Sequence, residues 1–426
     1  MSALFLLFLL FLFMLIGVPV AVSLGLSSIT TILMFGNQSL TSLAQKFFHT
    51  MQVYPLLAIP FFILAGTFLT TGGVARRMID FANAIVGHFR GGLALAALLA
   101  SAFFAAVSGS APATVVAVGS VMMVGMIRSG YSKEFSAGLI CNAGTLGILI
   151  PPSIVMVVYG AITETSIGKL FMAGVVPGVL LTAMMMITIG VIANKQDLPR
   201  QPRADFAKVW STFREAGWGL LLIIIIMGGI YAGIFTPTEA AAVAAVYAFF
   251  IAVYVYRDIG LKSVPKVLID ASRTTVMLMF VIANAFMFAF VLTTLQIPHA
   301  ATEYITGLGL PVWAFLLVLN FLLLAAGNFM EPTSVVLILT PIVFPIAMQL
   351  GIDPIHLGVL MVVNMQIGLV TPPVGLNLFV TAGVANMSLE DTIKAALPWL
   401  AVLLFALMLI TYIPSISLAL PNALGL

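Results

Sequence analysis

The stretch GLVTPPVGLNLF, residues 368–379, sets two adjacent prolines in the middle of an otherwise apolar segment. Proline inside a helix removes a hydrogen bond and clashes with the preceding turn, at a cost of about 3 kcal/mol. The chain does this twice, since GTLGILIPPSIV at residues 144–155 carries the same interruption. If these segments cross a membrane, no water repairs the damage, so two such breaks need a physical reason.

The rest of the sequence places them in a membrane. Its 426 residues are 62% hydrophobic and 7% charged, with a mean hydropathy of +1.21. A soluble domain carries about 25% charged residues, so this surface cannot be solvated and the chain reads as an all-α polytopic membrane protein. The first sixteen residues are apolar without a basic leader, which reads as a retained span rather than a signal peptide. The lone Cys141 excludes a disulfide framework. A net charge of +3, carried in short loops, is no footprint for nucleic acid. No GxxxxGK[ST] loop is present, and His49, His88, His299 and His356 are scattered rather than paired for zinc. Ser108-Gly109-Ser110 has no convincing His/Asp partner, so an enzyme is disfavoured.

Crossing a bilayer as helix takes about 20 apolar residues. Candidate spans are 2–16, 18–35, 49–71, 134–163, 168–194, 217–235, 238–256, 274–297, 355–384 and 392–414. The first two read either as separate spans or as one long helix kinked at Gly17-Val18-Pro19. Regions 93–126 and 311–348 are too long for one span and are broken by SGSAPAT (108–114) and GNFMEPTS (327–334). Such polar tips make poor solvent loops, so both regions read as re-entrant hairpins. With that layout, segments 72–92, 127–133, 195–216, 257–273 and 385–394 hold every Lys and Arg except Lys46 and Lys169. Basic residues concentrate in cytoplasmic loops, which puts these segments inside and the two lysines outside.

The halves repeat. Pro151-Pro152 and Pro372-Pro373 stand 221 residues apart, Pro112 and Pro332 220, Leu69-Thr70-Thr71 and Leu292-Thr293-Thr294 223, and Pro19 and Pro237 218. The reading divides the chain into residues 1–215 (hairpin 93–126, broken helix 134–163) and residues 216–426 (hairpin 311–348, broken helix 355–384). Each half holds five crossings and one re-entrant hairpin. Five is odd, so the second half enters the membrane inverted. Inverted repeats with discontinuous helices are a mark of secondary transporters, where unwound carbonyls coordinate cations and half-helix N-termini meet anions. That is the reason for the double prolines: they hold backbone oxygens open for a hard cation.

The segments GLVTPPVGLNLFV, GNFMEPTS, SGSAPATVVAVG and GIFTPTEAAAVAA together resemble the large membrane subunit of TRAP (tripartite ATP-independent periplasmic) transporters, along essentially the whole chain. The resemblance implies an elevator-type importer of organic anions driven by Na⁺ in the bacterial or archaeal cytoplasmic membrane. C4-dicarboxylates are the leading substrates and sugar acids come next. It also implies two partners, a small four-helix membrane subunit and a periplasmic substrate-binding protein. By position, a first sodium site would use Ser108 and Ser110 with Gly147, Ile150 and Pro152, and a second Gly327 with Gly368, Thr371 and Val374. Ser110 and Ser153 resemble positions near the substrate.

Four further readings come from the residues themselves. Glu331, a carboxylate at membrane depth, reads as functional: tuning the cation, bonding the substrate or relaying protons. Its blander reading is a solvated vestibule residue. Asn142, Asn364 and Asn377 read as substrate amides or as helix-to-helix hydrogen bonds. Thr236-Pro237-Thr238-Glu239 reads as a capping box. The basic stretch 195–216, with Trp210 and Trp218, reads as an interfacial amphipathic segment. The runner-up function is a stand-alone sodium- or proton-coupled dicarboxylate or citrate carrier, which would transport without a soluble binding protein. A channel or a scaffold would need neither a coupling ion nor matched breaks.

Overall fold

The computed structural model describes residues 2–36 and 39–425, and among them 82% is helix with no strand. The first-half helices are α1 Ser2–Leu15, α2 Val20–Phe35, α3 Leu40–Thr50, α4 Ala58–Thr71, α5 Val74–Val86, α6 Gly92–Ser108, α7 Ala111–Arg128, α8 Lys133–Gly144, α9 Ile154–Thr163 and α10 Ile167–Lys195. Then follow α11 Phe206–Tyr231, α12 Pro237–Phe250, α13 Val264–Thr294, α14 Ile297–Gly307, α15 Val312–Phe329, α16 Pro332–Gln349, α17 Pro354–Gly368, α18 Leu376–Ala385, α19 Leu389–Tyr412 and α20 Ser415–Ala423. Nine of the described helices are long and apolar enough to cross a membrane.

Residues 2–35 form two helices rather than one kinked helix. Gly17 takes a left-handed φ of +85°, which glycine adopts without a Cβ clash. The chain then doubles back, so that Phe5 near the start of α1 meets Phe35 at the end of α2, ring centroids 5.2 Å apart. Both long apolar regions are hairpins whose tips fall at Gly109-Ser110 and Met330-Glu331. Both double-proline segments are broken: α8 passes through a tight turn, Thr145–Ile148, before α9, and α17 and α18 are separated by residues 369–375. The prolyl bonds Pro151-Pro152 and Pro372-Pro373 are both cis.

Four helices went unforeseen. The helices α3, α5, α14 and α20 are 11, 13, 11 and 9 residues long, too short to span, and the apolar residues of the first three fall on one face. Span 49–71 accordingly shortens to Tyr54–Thr71. The expected interfacial segment at 195–216 is not a separate element. Residues 206–216 are the first turns of α11, which Asp205 caps by accepting the Phe206 amide at 2.8 Å, and Trp210 and Trp218 stand exposed on that helix.

Packing in a membrane relies on small residues that let backbones approach. Ala240, Ala241, Ala244 and Ala248 on α12 are fully buried against α4. The capping box at Thr236 and Glu239 forms as expected and starts this helix. Thr238 then ties it to the Tyr54 carbonyl at 3.2 Å. The helices α2, α4, α12 and α13 pack as one group, while α8, α17, α18 and α19 pack as another that carries the breaks. The hairpin tips lie between the two.

Candidate functional site

Both tips are held against a break by glycine. A Cβ on Gly147 would stand 2.6 Å from the Ser110 carbonyl oxygen and 2.9 Å from the Ala111 nitrogen. Gly109, at φ +60°, brings the tip to the other side of the break, where a Cβ would lie 3.0 Å from the Pro152 oxygen. Ser110, Gly147 and Pro152 therefore converge, with Ser108 beside them. Its hydroxyl lies 3.2 Å from that of Thr114. Ile150 belongs to the same break, and its side chain packs toward Gly178 on α10.

The second tip repeats this. A Cβ on Gly368 would meet the Gly327 carbonyl carbon at 2.8 Å and its oxygen at 3.0 Å. The Thr371 hydroxyl donates to the Ile367 oxygen at 2.8 Å, which leaves its lone pairs for another donor or a cation. Between them sits a residue that the sequence reading passed over. Asn328 donates through Nδ2 to the Pro372 oxygen at 2.6 Å and accepts the Val374 amide on Oδ1 at 3.2 Å. Its own carbonyl accepts the Gly375 amide at 3.1 Å. One buried side chain thus fixes the non-helical backbone around the second proline pair. Its only signal in the sequence was adjacency to Gly327.

Ser110 and Glu331 hold the same place in their hairpins, since each caps the second helix. Ser110 accepts from the Ala113 amide at 3.5 Å, and Glu331 from the Ser334 amide at 3.1 Å and the Thr333 hydroxyl at 2.7 Å. Glu331 therefore has a capping role besides any other. Ser153 likewise caps α9, accepting from the Met156 amide at 3.4 Å while donating to Ile148 at 2.6 Å, and it is fully buried.

A cavity of about 420 Å³ opens between the tips, within the range of small-molecule sites. Ser108, Ser110, Glu331 and Thr333 line it from the hairpins, Ile148 and Leu369 from the breaks. Thr67, Thr70 and Thr71 of α4 and Thr274 of α13 form the facing wall. Thr70 and Thr71 stood out in the sequence only as repeat landmarks, and none of these threonines as lining, since a hydroxyl inside an apolar span bonds its own helix; Thr67 does so, to Ile63 at 2.7 Å.

The three asparagines lie off this lining and fully buried. Asn142 donates to Gly138 at 2.9 Å and to Ala396 on α19 at 3.4 Å. Asn364 bonds Asn320 at 2.8 Å, which reaches Thr411 at 2.9 Å. Asn377 reaches the Cys141 carbonyl at 3.4 Å. Each is a bond between helices. Gln366 and Thr145, fully buried and 221 positions apart, bond each other at 3.0 Å and join the two broken helices directly.

Among the described residues no cluster of His, Cys, Asp or Glu suits a transition metal. What the tips and breaks present is hydroxyl and carbonyl oxygen, a donor set for a hard cation such as Na⁺.

A family model described as "Tripartite ATP-independent periplasmic transporter, DctM component" matches residues 7–416. The chain belongs to this family. It is the large membrane component of a TRAP transporter, a multi-pass transport protein of the cytoplasmic membrane and not an enzyme. It is 64% identical over 404 residues to the C4-dicarboxylate TRAP transporter large permease protein DctM of Pseudomonas aeruginosa, covering 95% of each chain. Identity to the protein of the same name from Vibrio cholerae is 55% over 432 residues, 96% of this chain and 95% of that one. The sialic acid TRAP transporter permease protein SiaT of Haemophilus influenzae is 36% identical, covering 96% of this chain and 67% of that one. Among solved structures, the Alcanivorax borkumensis YdaH transporter shares the fold with a TM-score of 0.62 at 14% identity, over 89% of this chain and 88% of that one.

Within this TRAP subunit, Glu331 offers a clean separation of cap from charge. Glu331→Gln keeps a side-chain oxygen for the Ser334 amide, so the hairpin is expected to fold with an unchanged thermal midpoint. If the charge serves transport, uptake falls by about tenfold, the order expected when one charge-assisted contact is lost. Uptake and thermal midpoint both unchanged would leave Glu331 as a cap alone.

Proposed function

We propose that this subunit imports C4-dicarboxylates, driven by sodium, from a periplasmic binding protein and in complex with a small membrane subunit. The single observation that carries the substrate class is the 64% identity, over 95% of both chains, to a permease named for C4-dicarboxylates. Sodium coupling is supported by the two tip-and-break junctions, where glycine packing brings Ser110 against Gly147 and Gly327 against Gly368. Two ions are proposed, one held by oxygens of Ser108, Ser110, Gly147, Ile150 and Pro152, the other by those of Gly327, Gly368, Thr371 and Val374. The dianion would sit beside them in the cavity, near Ser110 and Glu331. Among the described residues no arginine or lysine lines that cavity, so its charge is met by helix N-termini, hydroxyls and the ions themselves.

The halves are proposed to be an inverted pair that moves as an elevator. The Gln366–Thr145 contact supports the symmetry, because positions one repeat apart touch only near the axis relating the copies. Carrier movement would then slide the α8/α17/α18/α19 group against the α2/α4/α12/α13 group.

The test is uptake of radiolabelled succinate into proteoliposomes holding both membrane subunits, with substrate-loaded binding protein added outside. Uptake is expected to need both an inward sodium gradient and the binding protein. Transport without the binding protein would favour a stand-alone carrier. Thr371→Val removes one hydroxyl oxygen while keeping the shape, so the half-saturating sodium concentration is expected to rise about tenfold with insertion unchanged. An unaltered sodium curve would remove Thr371 from the site.

A further inference from the structure

The second cavity of the molecule is larger, about 770 Å³, and is lined by turns at the helix ends opposite the loops read as cytoplasmic from their charge. It is walled by the end of α3, the α9–α10 turn and the α11–α12 turn. Its lining contains both Lys46 and Lys169. These are the two basic residues that the charge distribution leaves outside, and they come from segments more than a hundred positions apart. Neither has a carboxylate partner among the described residues. Lys46 instead stands 5.8 Å above the Phe290 ring. Both lysines thus border one cleft, and neither positive charge is met there by an ion-paired carboxylate.

Other groups fit the same ligand. Tyr54 and Tyr231 add polar donors to the wall, and the first turn of α10, Ser166 to Lys169, lines it as well; the Ser166 hydroxyl accepts the Lys169 amide at 3.4 Å, and the positive end of that helix dipole remains at the wall. The N-terminus of α12 is already taken, since Glu239 accepts the Thr236 amide at 2.8 Å. One carboxylate, Glu164, also lines the cleft. It lowers the formal charge of the lining to one positive, which suits a site that must release its ligand onward.

We propose that this outer cleft is a second anion site, binding short dicarboxylates through Lys46 and Lys169 before they reach the central cavity. The assignment rests on the sidedness and substrate class argued above. The two lysines provide what the central cavity lacks, full positive charges outside the field of the ions, and an electropositive cleft raises the local concentration of a dianion.

The test uses the complex of both membrane subunits in outward-oriented proteoliposomes, without sodium. His49→Cys places a thiol on the exposed rim, and the native Cys141 is fully buried, so a membrane-impermeant maleimide reports on the cleft alone. Succinate at four times its dissociation constant is expected to slow labelling about fivefold, with acetate far weaker. Changing Lys46 and Lys169 together to Gln should abolish the protection, and changing both to Arg should keep it. Labelling indifferent to succinate, protection surviving the double Gln change, or a thiol reached only from the cytoplasmic side would overturn the proposal. So would phosphatidylglycerol vesicles that block labelling by themselves, which would make a lipid headgroup the occupant. Failure of sodium-driven uptake in the unaltered protein would instead refute the coupling, and leave this labelling result standing.

Discussion

Replacing Gly368 by alanine is expected to abolish most sodium-dependent uptake and to lower the thermal midpoint of the purified complex. The new Cβ would lie 2.8 Å from the Gly327 carbonyl carbon, 2.9 Å from its Cα and 3.0 Å from its oxygen. All three are backbone atoms and none can rotate away, so the hairpin tip and the broken helix must separate. Overpacking of this kind costs about 1–3 kcal/mol, which as lost ion binding is about fivefold to 150-fold. Gly147→Ala should behave alike at the other junction, where the new carbon meets the Ser110 carbonyl at 2.6 Å. Gly383→Ala is the control. It sits in α18 with nothing within 4 Å of a new Cβ, and alanine favours helix over glycine by about 1 kcal/mol. Uptake by Gly383→Ala should stay within experimental error of the parent. Normal uptake by Gly368→Ala would mean that the tip and the break need not touch for transport.

That contrast shows how much of the molecule was written in its sequence. The hairpins and breaks were legible because a membrane makes interruptions conspicuous: SGSAPAT, GNFMEPTS and the two Pro-Pro pairs stand out from runs of leucine and alanine. Span length alone placed most crossings. The short helices α3, α5, α14 and α20 escaped because a half-apolar segment of 9 to 13 residues resembles a loop when only long apolar runs are counted. Asn142, Asn364 and Asn377 show a harder limit. An amide inside an apolar span reads equally as a ligand contact or as a bond between helices, and only the fold puts Asn364 against Asn320 rather than on the cavity. The shared capping role of Ser110 and Glu331 was also hidden, because the prolines that follow them occupy different helical positions, second in α7 and first in α16.

Asn328 carries the other large expected effect. Its side chain satisfies the Pro372 carbonyl and the Val374 amide at once, in a stretch where the backbone makes no helix. In Asn328→Ala both groups lose their partner inside a buried junction, at about 1–3 kcal/mol each. The break is then free to relax, and the oxygens of Thr371 and Val374 proposed to face the second ion move with it. The half-saturating sodium concentration is expected to rise by at least tenfold, since 1.4 kcal/mol suffices for that. The first junction, which Asn328 does not touch, should be spared. Asn328→Asp separates the two bonds. A carboxylate still accepts the Val374 amide but sets a negative oxygen against the Pro372 carbonyl, where Nδ2 now donates at 2.6 Å. If the ion sits close by, the added charge recruits it and the aspartate variant binds sodium more tightly than the alanine variant while transporting slowly. If no ion sits there, the repulsion is uncompensated and aspartate is the more damaging change. Sodium titration of the two variants by scintillation proximity binding reads this order directly, and with it whether the second break is an ion site or only a rigid bend.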